Sequence, residues 1–104
     1  MGKKIHITLT GTKYYHGKDF LKSGMKVRLI KEPENPYDRE AIRVELEPLG
    51  TIGHVANSAN TVIGESWSAG RLYDRIGKKA DAEIKLVTEH GVLCRVSKKS
   101  IRKD

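Results

Sequence analysis

The sequence predicts a mainly β fold, a small mixed sheet or partly open barrel of about six short strands, with a helical excursion before the last two. Three observations predict it. Apolar and polar residues alternate with the period of a half-buried strand in several short segments. Turn-forming Gly, Pro, Asn and Ser residues separate these segments. The chain has 104 residues and no internal repeat, a length that suits a single hydrophobic core.

The first predicted strand, residues 3–10, shows the alternation most clearly. Its apolar residues Ile5, Ile7 and Leu9 share one face, and its polar residues share the other. The same argument, together with turn signals such as Pro48 to Gly50, defines the remaining strands. They are predicted over residues 25–30, 41–46, 51–55, 80–88 and 92–97.

Two short helices are predicted between the fourth and fifth strands. The first is capped by Asn57 or Ser58 and runs to about residue 63. The second is capped by Ser66 or Ser68 and stops at Gly77. Its apolar residues have the spacing of one helical face: Ala69, Leu72, Tyr73 and Ile76. We expect residues 1–97 to form one domain and residues 98–104 a basic tail.

The chain is basic, with 20 Lys and Arg against 13 Asp and Glu, a net charge of +7. A polyanion is the usual partner of such a surface. The positive charge is concentrated in residues 1–31 and in the tail, whereas residues 32–47 are acidic. An ordinary solubilising surface is the alternative interpretation of the basic residues.

Sequence patterns of the common enzyme classes are missing. No glycine-rich phosphate loop followed by Lys and Ser or Thr occurs, which excludes a nucleotide-driven motor. His90 and Cys94 supply two ligands where a structural zinc site needs four, and Cys94 suits a core position. We therefore expect a binding module with no cofactor and no metal. No apolar segment long enough for a membrane span or signal peptide is present, and we expect a cytoplasmic location, with the nucleoid as its site in a bacterium.

The tyrosines are the strongest candidates for function. Tyr14 and Tyr15 lie in a lysine-bearing loop between Gly11 and Gly17, and Tyr37 lies in a proline-rich loop. Aromatic residues on the loops of a small basic barrel are typical of platforms on which single-stranded bases stack. The alternative is that one residue of the Tyr14–Tyr15 pair belongs to the core, because neighbours on extended backbone point in opposite directions.

Three segments resemble the HIRAN domain: residues 11–17 (GTKYYHG), 24–44 (GMKVRLIKEPENPYDREAIRV) and 52–55 (IGHV). The sequence Asn-Pro-Tyr-Asp followed by Ala-Ile-x-Val is the most specific part. HIRAN domains occur at the N-terminus of fork-remodelling Swi/Snf-type DNA translocases and as small free-standing bacterial proteins. The resemblance implies an OB-like barrel of about six strands. It also assigns Asn35 and Pro36 as loop formers that position the tyrosines.

The resemblance further implies recognition of single-stranded DNA at its 3′ end. On the matching positions, Tyr14 and Tyr37 would stack around the terminal base, and Asp38 would accept a hydrogen bond from the free 3′ hydroxyl. Lys13 and His54 would contact phosphates. Two departures imply weaker binding: Lys13 stands where arginine is common, and the segment after His54 lacks a lysine that DNA-binding members carry.

Two alternative functions remain open at this point. In the first, the exposed tyrosines and edge strands bind a peptide or a separate protein such as a helicase or nuclease, and the chain is an interaction module. In the second, the chain is a small hydrolase that uses Asp38 with a metal. Asp38 and Glu40 are also candidates for a catalytic carboxylate pair, and a solvated loop edge explains the same acids more simply.

Overall fold

The computed structural model describes residues 4–102. They form β1 (His6–Thr10), β2 (Lys26–Lys31), β3 (Ile42–Leu46), β4 (Gly50–Val55), α1 (Ala69–Tyr73), β5 (Lys79–Thr88) and β6 (Gly91–Val96). Two 3-10 turns, η1 (Thr12–Tyr14) and η2 (Lys98–Ser100), complete the elements. Five of the predicted strands are confirmed to within one residue at each end. The first begins at His6, and the predicted start at Lys3 lies outside the described residues.

The six strands form a closed barrel in the order β1-β4-β3-β2-β5-β6, and all six pairings are antiparallel. The expected mainly β, OB-like fold is confirmed, whereas the expectation of a mixed or partly open sheet is wrong. Pairing of β1 with β6, in which Ile7 lies opposite Cys94, closes the barrel. Closure lets every strand satisfy its backbone groups on both sides.

The barrel interior holds the hydrophobic core. Leu9, Leu29, Val44 and Ile84 are fully buried, and Leu72 of α1 joins them. Cys94 is confirmed as a core residue, and burial raises the pKa of its thiol to about 12.

The outer face of β1 is also covered, contrary to the expected half-buried strand. The segment after β4 crosses it and buries Thr8 completely. The Thr8 Oγ1 atom accepts the Ile63 amide at 2.9 Å and shares a hydrogen bond of 2.8 Å with Ser66 Oγ. These bonds satisfy the one polar side chain that is fully buried among residues 4–102.

The first predicted helix is wrong, because residues 57–63 form turns. The Ser58 carbonyl accepts the amides of Thr61 and Val62 at 2.9 and 3.1 Å, but these helix-like hydrogen bonds do not continue into a second turn. The Ile63 amide donates to Thr8, and Gly64 has a φ of 55°, which suits a turn rather than a right-handed helix.

The second predicted helix is confirmed but shorter. Ser68 caps it, and its Oγ accepts the Arg71 amide at 3.2 Å. The helix ends at Tyr73 rather than at Gly77. The backbone of Ile76 instead forms a bridge with Ile101, which takes this segment out of helical geometry.

The described part of the basic tail packs against the barrel. Ser100 Oγ accepts the Asp81 amide at 3.0 Å, and the Arg102 amide donates to the Arg75 carbonyl at 2.6 Å. Lys103 and Asp104 lie outside the described residues. Within residues 4–102, no helix is both long and apolar enough to cross a membrane.

Candidate nucleic-acid interface

The loop after β1 is a tight turn that presents two tyrosines. Gly11 and Gly17, both with φ of 75°, occupy left-handed positions at its ends. The Thr12 carbonyl accepts the amides of Tyr15 and Gly17 at 3.0 and 2.9 Å. Tyr14 is 75% exposed and Tyr15 43% exposed. The alternative in which one of them enters the core is therefore wrong, because the backbone here is a 3-10 turn and not extended.

Tyr14 lines an open groove of about 510 Å³ between this loop and the β5–β6 hairpin. Lys13 Nζ lies 5.2 Å from the centre of the Tyr14 ring, within range of a cation–π interaction. Lys18 and His90 line the same groove, and Lys18 Nζ donates to the Thr88 carbonyl at 2.6 Å. No sequence pattern indicates Lys18 as a groove residue, and the spacing of His90 points only to a metal ligand. The β5–β6 hairpin brings His90 close to the end of β1, which lies about 80 residues earlier in the chain. No local sequence pattern can indicate a contact over such a separation.

The proline-rich loop before β3 is organised by one amide side chain. Asn35 Oδ1 accepts the backbone amides of Tyr37 at 2.8 Å and Asp38 at 3.1 Å, an Asx-type turn. The predicted role of Asn35 as a loop former agrees with this geometry. The Tyr37 side chain on this loop is 96% exposed, and Asp38 follows it directly in the chain.

Both oxygens of the Asp38 carboxylate are held in place. Oδ1 accepts the Glu40 amide at 2.9 Å, and Oδ2 accepts the Asn57 side-chain amide at 2.9 Å. The Asn57 carbonyl oxygen in turn accepts the Gly70 amide at 2.8 Å. Asn57 therefore connects Asp38 to α1. Asn57 is a predicted cap of the first helix. It does accept a helix amide, but that amide belongs to Gly70 of α1, thirteen residues further along the chain.

His54 connects the two loops. Its Nε2 lies 2.9 Å from Glu32 Oε1, and its ring centre is 6.0 Å from that of Tyr15. Glu32 Oε1 also accepts from the Asn35 amide at 3.2 Å. Burial alone would raise the pKa of Glu32, but the hydrogen bonds from Asn35 and His54, with the charges of His54 and Arg43, lower it below 4.5.

Arg43 neutralises part of the acidic segment. Its Nε lies 2.7 Å from a Glu45 oxygen, and its Nη1 lies 3.6 Å from a Glu32 oxygen. In the barrel, Arg43 is paired across the strands with His54, which is paired with Thr10 at the end of β1. Two carboxylates of the acidic segment are therefore occupied by basic partners next to the candidate site.

The five predicted site residues fall into two groups. Lys13 and Tyr14 lie together on η1, whereas Tyr37, Asp38 and His54 are connected through hydrogen bonds with Glu32, Asn35 and Asn57. The groove that Tyr14 lines contains none of Tyr37, Asp38 and His54. Among residues 4–102, no three His, Cys, Asp or Glu side chains are grouped so as to hold a metal ion.

Comparisons with known proteins agree with this architecture. The crystal structure of the HIRAN domain of human HLTF is similar, with a TM-score of 0.63 and 19% identity over 89% of this chain and 72% of that chain. A crystal structure of a protein from Lactobacillus plantarum has a TM-score of 0.57 and 20% identity, over 91% and 97% of the two chains. No curated protein sequence matches the chain. The sequence profile of the HIRAN domain matches residues 3–93, and the chain belongs to the HIRAN family.

Proposed function

We propose that this chain binds single-stranded DNA and recognises a free 3′-hydroxyl end. DNA binding is the general property of HIRAN domains, and recognition of the 3′ end is the more specific part of the proposal. One observation carries it: Tyr37 is nearly fully exposed, and both carboxylate oxygens of the next residue, Asp38, are fixed by hydrogen bonds.

The exposed tyrosines supply the stacking surface. Tyr37 and Tyr14 are 96% and 75% exposed, which is unusual for large aromatic side chains. Hydrogen bonds to backbone amides fix the loops that carry the two tyrosines. Little conformational entropy is therefore lost when a base stacks on them. A base stacked on an aromatic side chain contributes about 1 to 3 kcal/mol and is accepted with little regard to sequence.

Asp38 supplies the end selection. An ionised carboxylate has about four acceptor sites, of which the Glu40 and Asn57 donors use two. The remaining sites accept the hydrogen of a terminal 3′ hydroxyl, a short and strong type of hydrogen bond. A 3′ phosphate at the same position offers no such donor at neutral pH and brings like charge close to the carboxylate, which disfavours it.

Lys13 and His54 contact backbone phosphates in this proposal. Lys13 is exposed, and its ammonium group can move away from the Tyr14 ring to meet a phosphate. His54 uses Nε2 for Glu32, which leaves Nδ1 for the DNA. The paired Glu32 and Glu45 carboxylates reduce the repulsion that the acidic segment would otherwise exert on phosphate.

A protein-interaction module is the alternative function. Within residues 4–102 the barrel is closed and each strand pairs on both sides, so strand addition at a free edge has no place to occur. The exposed tyrosines still suit a protein surface. A helicase or nuclease on a separate chain is the partner that this alternative proposes.

Fluorescence anisotropy distinguishes these functions. A short single-stranded oligonucleotide ending in a 3′ hydroxyl is compared with the same sequence ending in a 3′ phosphate, at two salt concentrations. We expect tighter binding of the hydroxyl end and weaker binding of both at higher salt, because phosphate contacts release counterions. Equal binding of both ends would refute end recognition, and no binding of either would favour the interaction module.

A further inference from the structure

The barrel carries a second groove that the proposed site does not use. It has a volume of about 560 Å³ and crosses the outer surface of β2, β5 and β6, next to η2. Five basic side chains line it: Lys4, Lys26, Arg95, Lys98 and Lys99. Its acidic side chains are Asp81 and Glu83. We call it the basic groove.

The two carboxylates of the basic groove are already occupied. Glu83 accepts from Lys26 at 2.7 Å and from Lys85 at 2.8 Å, and these hydrogen bonds lower the pKa of Glu83 to about 2. Asp81 lies 3.8 Å from the ammonium of Lys99. Both acids therefore have a lysine partner already and do not pair with the remaining cations of the groove.

Among the described residues, three cations of the groove have no acidic partner. Lys4, Arg95 and Lys98 form no ion pair with any other residue in the described range 4–102. The positive charges of Lys4 and Arg95 act on His6, which is paired with Arg95 across the strands. Burial lowers the pKa of His6, and the charges of Arg95, Lys4 and Lys85 lower it further. Uncompensated positive charge at one place on a surface attracts a polyanion.

The fold of the tail places two of these lysines. The hydrogen bond from the Asp81 amide to Ser100 Oγ holds η2 against β5. The Ser97 amide also donates to the Asp81 carbonyl at 2.8 Å. Lys98 and Lys99 are thereby brought to the wall of the groove, whereas the sequence alone left open both a polyanion-binding and a solubilising tail.

The basic groove and the Tyr14 groove share β6 and lie towards opposite ends of it. The Tyr14 groove is lined by Leu9 and Thr10 at the end of β1 and by Gly91 at the start of β6. The basic groove reaches Lys4, just before β1, and Arg95 near the end of β6. Since Arg95 lies four residues from Gly91, the two are about 13 Å apart along the strand. Phosphates of a nucleic-acid strand follow one another closely enough for one strand to span this distance in a few nucleotides.

We propose that the basic groove binds phosphates of the same single DNA strand, upstream of the 3′ end held by the tyrosine loops. The inference rests on the proposed function for the direction of the strand. It extends that function because it adds a contact surface for longer strands, made by Lys4, Arg95 and Lys98, that acts on the sugar–phosphate backbone and not on the end.

The test compares two double variants by fluorescence anisotropy. Lys4→Ala with Lys98→Ala removes two unpaired cations of the groove, and Lys22→Ala with Lys78→Ala removes two exposed lysines that line neither groove. Each is measured with a strand of ~3 nucleotides, too short to run from the tyrosine loops to the basic groove, and with one of ~16, the upper site size of one OB fold. Thermal unfolding checks that all proteins are folded.

We expect the groove variant to bind the longer strand about tenfold more weakly than wild type. We also expect the slope of log Kd against log salt to fall by about 1.4, from two lost single-strand phosphate contacts. Binding of the short strand and its preference for a 3′ hydroxyl should not change. The control variant should show neither the tenfold loss nor the change of slope that is specific to the longer strand.

Several results would overturn the inference. An equal loss of affinity in the groove variant and the control would do so, as would an equal loss for short and long strands. A groove variant that loses binding of poly-glutamate but keeps its full affinity for DNA would also overturn it. These results leave end recognition intact if wild type still prefers the 3′ hydroxyl. A length-specific loss in a protein that binds both ends equally would refute end recognition and support the groove.

Discussion

The side-chain amide of Asn57 donates to Asp38 Oδ2 at 2.9 Å, while its carbonyl oxygen accepts the Gly70 amide at 2.8 Å. One asparagine thus fixes the carboxylate proposed to read the DNA end and joins it to α1. A Cβ at residue 70 would lie 3.2 Å from the Asn57 carbonyl oxygen, a tight contact, and 2.6 Å from a carboxylate oxygen of the exposed Glu40 side chain, which can move aside. Asn57 lies in the segment where the family resemblance implies a lysine in DNA-binding members, and here its side chain donates to Asp38.

Replacing Asn57 by Ala should weaken end selection more than overall binding. The substitution removes the donor to Asp38 Oδ2 and leaves the Gly70 amide without its acceptor, so we expect a loss of about 1 kcal/mol in the free energy of unfolding. Denaturant unfolding and the ratio of Kd for the two DNA ends measure both effects. Asn60→Ala is the control, because Asn60 is an exposed asparagine in the same loop. A variant with unchanged end preference would show that Asn57 does not position Asp38.

Replacing Tyr37 by Ala should reduce affinity for single-stranded DNA without loss of stability. Tyr37 is 96% exposed, so its removal costs the fold little packing. Loss of one stacked base corresponds to ~1 to 3 kcal/mol, a weakening of roughly 5- to 150-fold. Tyr37→Phe keeps the ring and should bind close to wild type. If the Ala variant binds as tightly as wild type by anisotropy, Tyr37 is not a stacking platform.

The strands could be predicted from the sequence because alternation is a local signal. Ile5, Ile7 and Leu9 lie within five residues of each other and are all buried, as their period requires. The loop-forming role of Asn35 could also be predicted from the sequence, because its hydrogen-bond partners Tyr37 and Asp38 follow it closely in the chain. Local hydrogen bonding of this kind has a recognisable sequence pattern.

The residues that hold the site residues by hydrogen bonds could not be predicted from the sequence, because these contacts depend on tertiary structure. Glu32 meets His54 across 22 residues, and Asn57 meets Asp38 across 19. The wrong helix over residues 57–63 has the same origin: Asn57 and Ile63 make their hydrogen bonds to Gly70 and Thr8 rather than within a helix. Closure of the barrel is likewise a property of register and not of any single strand.

Stability should decrease in acid partly through Glu32. Its pKa is lowered in the folded protein from an ordinary value of 4.5, so the folded state binds the Glu32 proton less readily than the unfolded state. The resulting stabilisation is complete above about pH 4.5 and is lost as the pH falls through the folded-state pKa. Urea unfolding at pH 7 and pH 3 should show a smaller loss for Glu32→Gln than for wild type. The exposed Glu34→Gln serves as the control, and identical pH profiles for the two variants would contradict the assignment.

Gly53 should not tolerate a side chain. A Cβ at this position of β4 would lie 2.5 Å from Leu9 Cδ1 and 2.6 Å from the Thr10 carbonyl oxygen, and the backbone atom cannot move aside cheaply. We expect Gly53→Ala to lose roughly 1 to 3 kcal/mol of stability. Gly77→Ala is a matched control, since a Cβ there meets no atom within 4 Å. Equal thermal unfolding temperatures for the two variants would show that β1 and β4 adjust freely.

The most direct test of the central claim is the ratio of Kd for a 3′-phosphate end to Kd for a 3′-hydroxyl end, measured in wild type, Asp38→Asn and Tyr37→Ala. We predict that wild type prefers the hydroxyl by about tenfold, equivalent to one charge-assisted hydrogen bond. Asp38→Asn should bring the ratio close to one, whereas Tyr37→Ala should weaken binding of both ends and keep the ratio. A ratio close to one in wild type, or one that Asp38→Asn leaves unchanged, would contradict end recognition by Asp38.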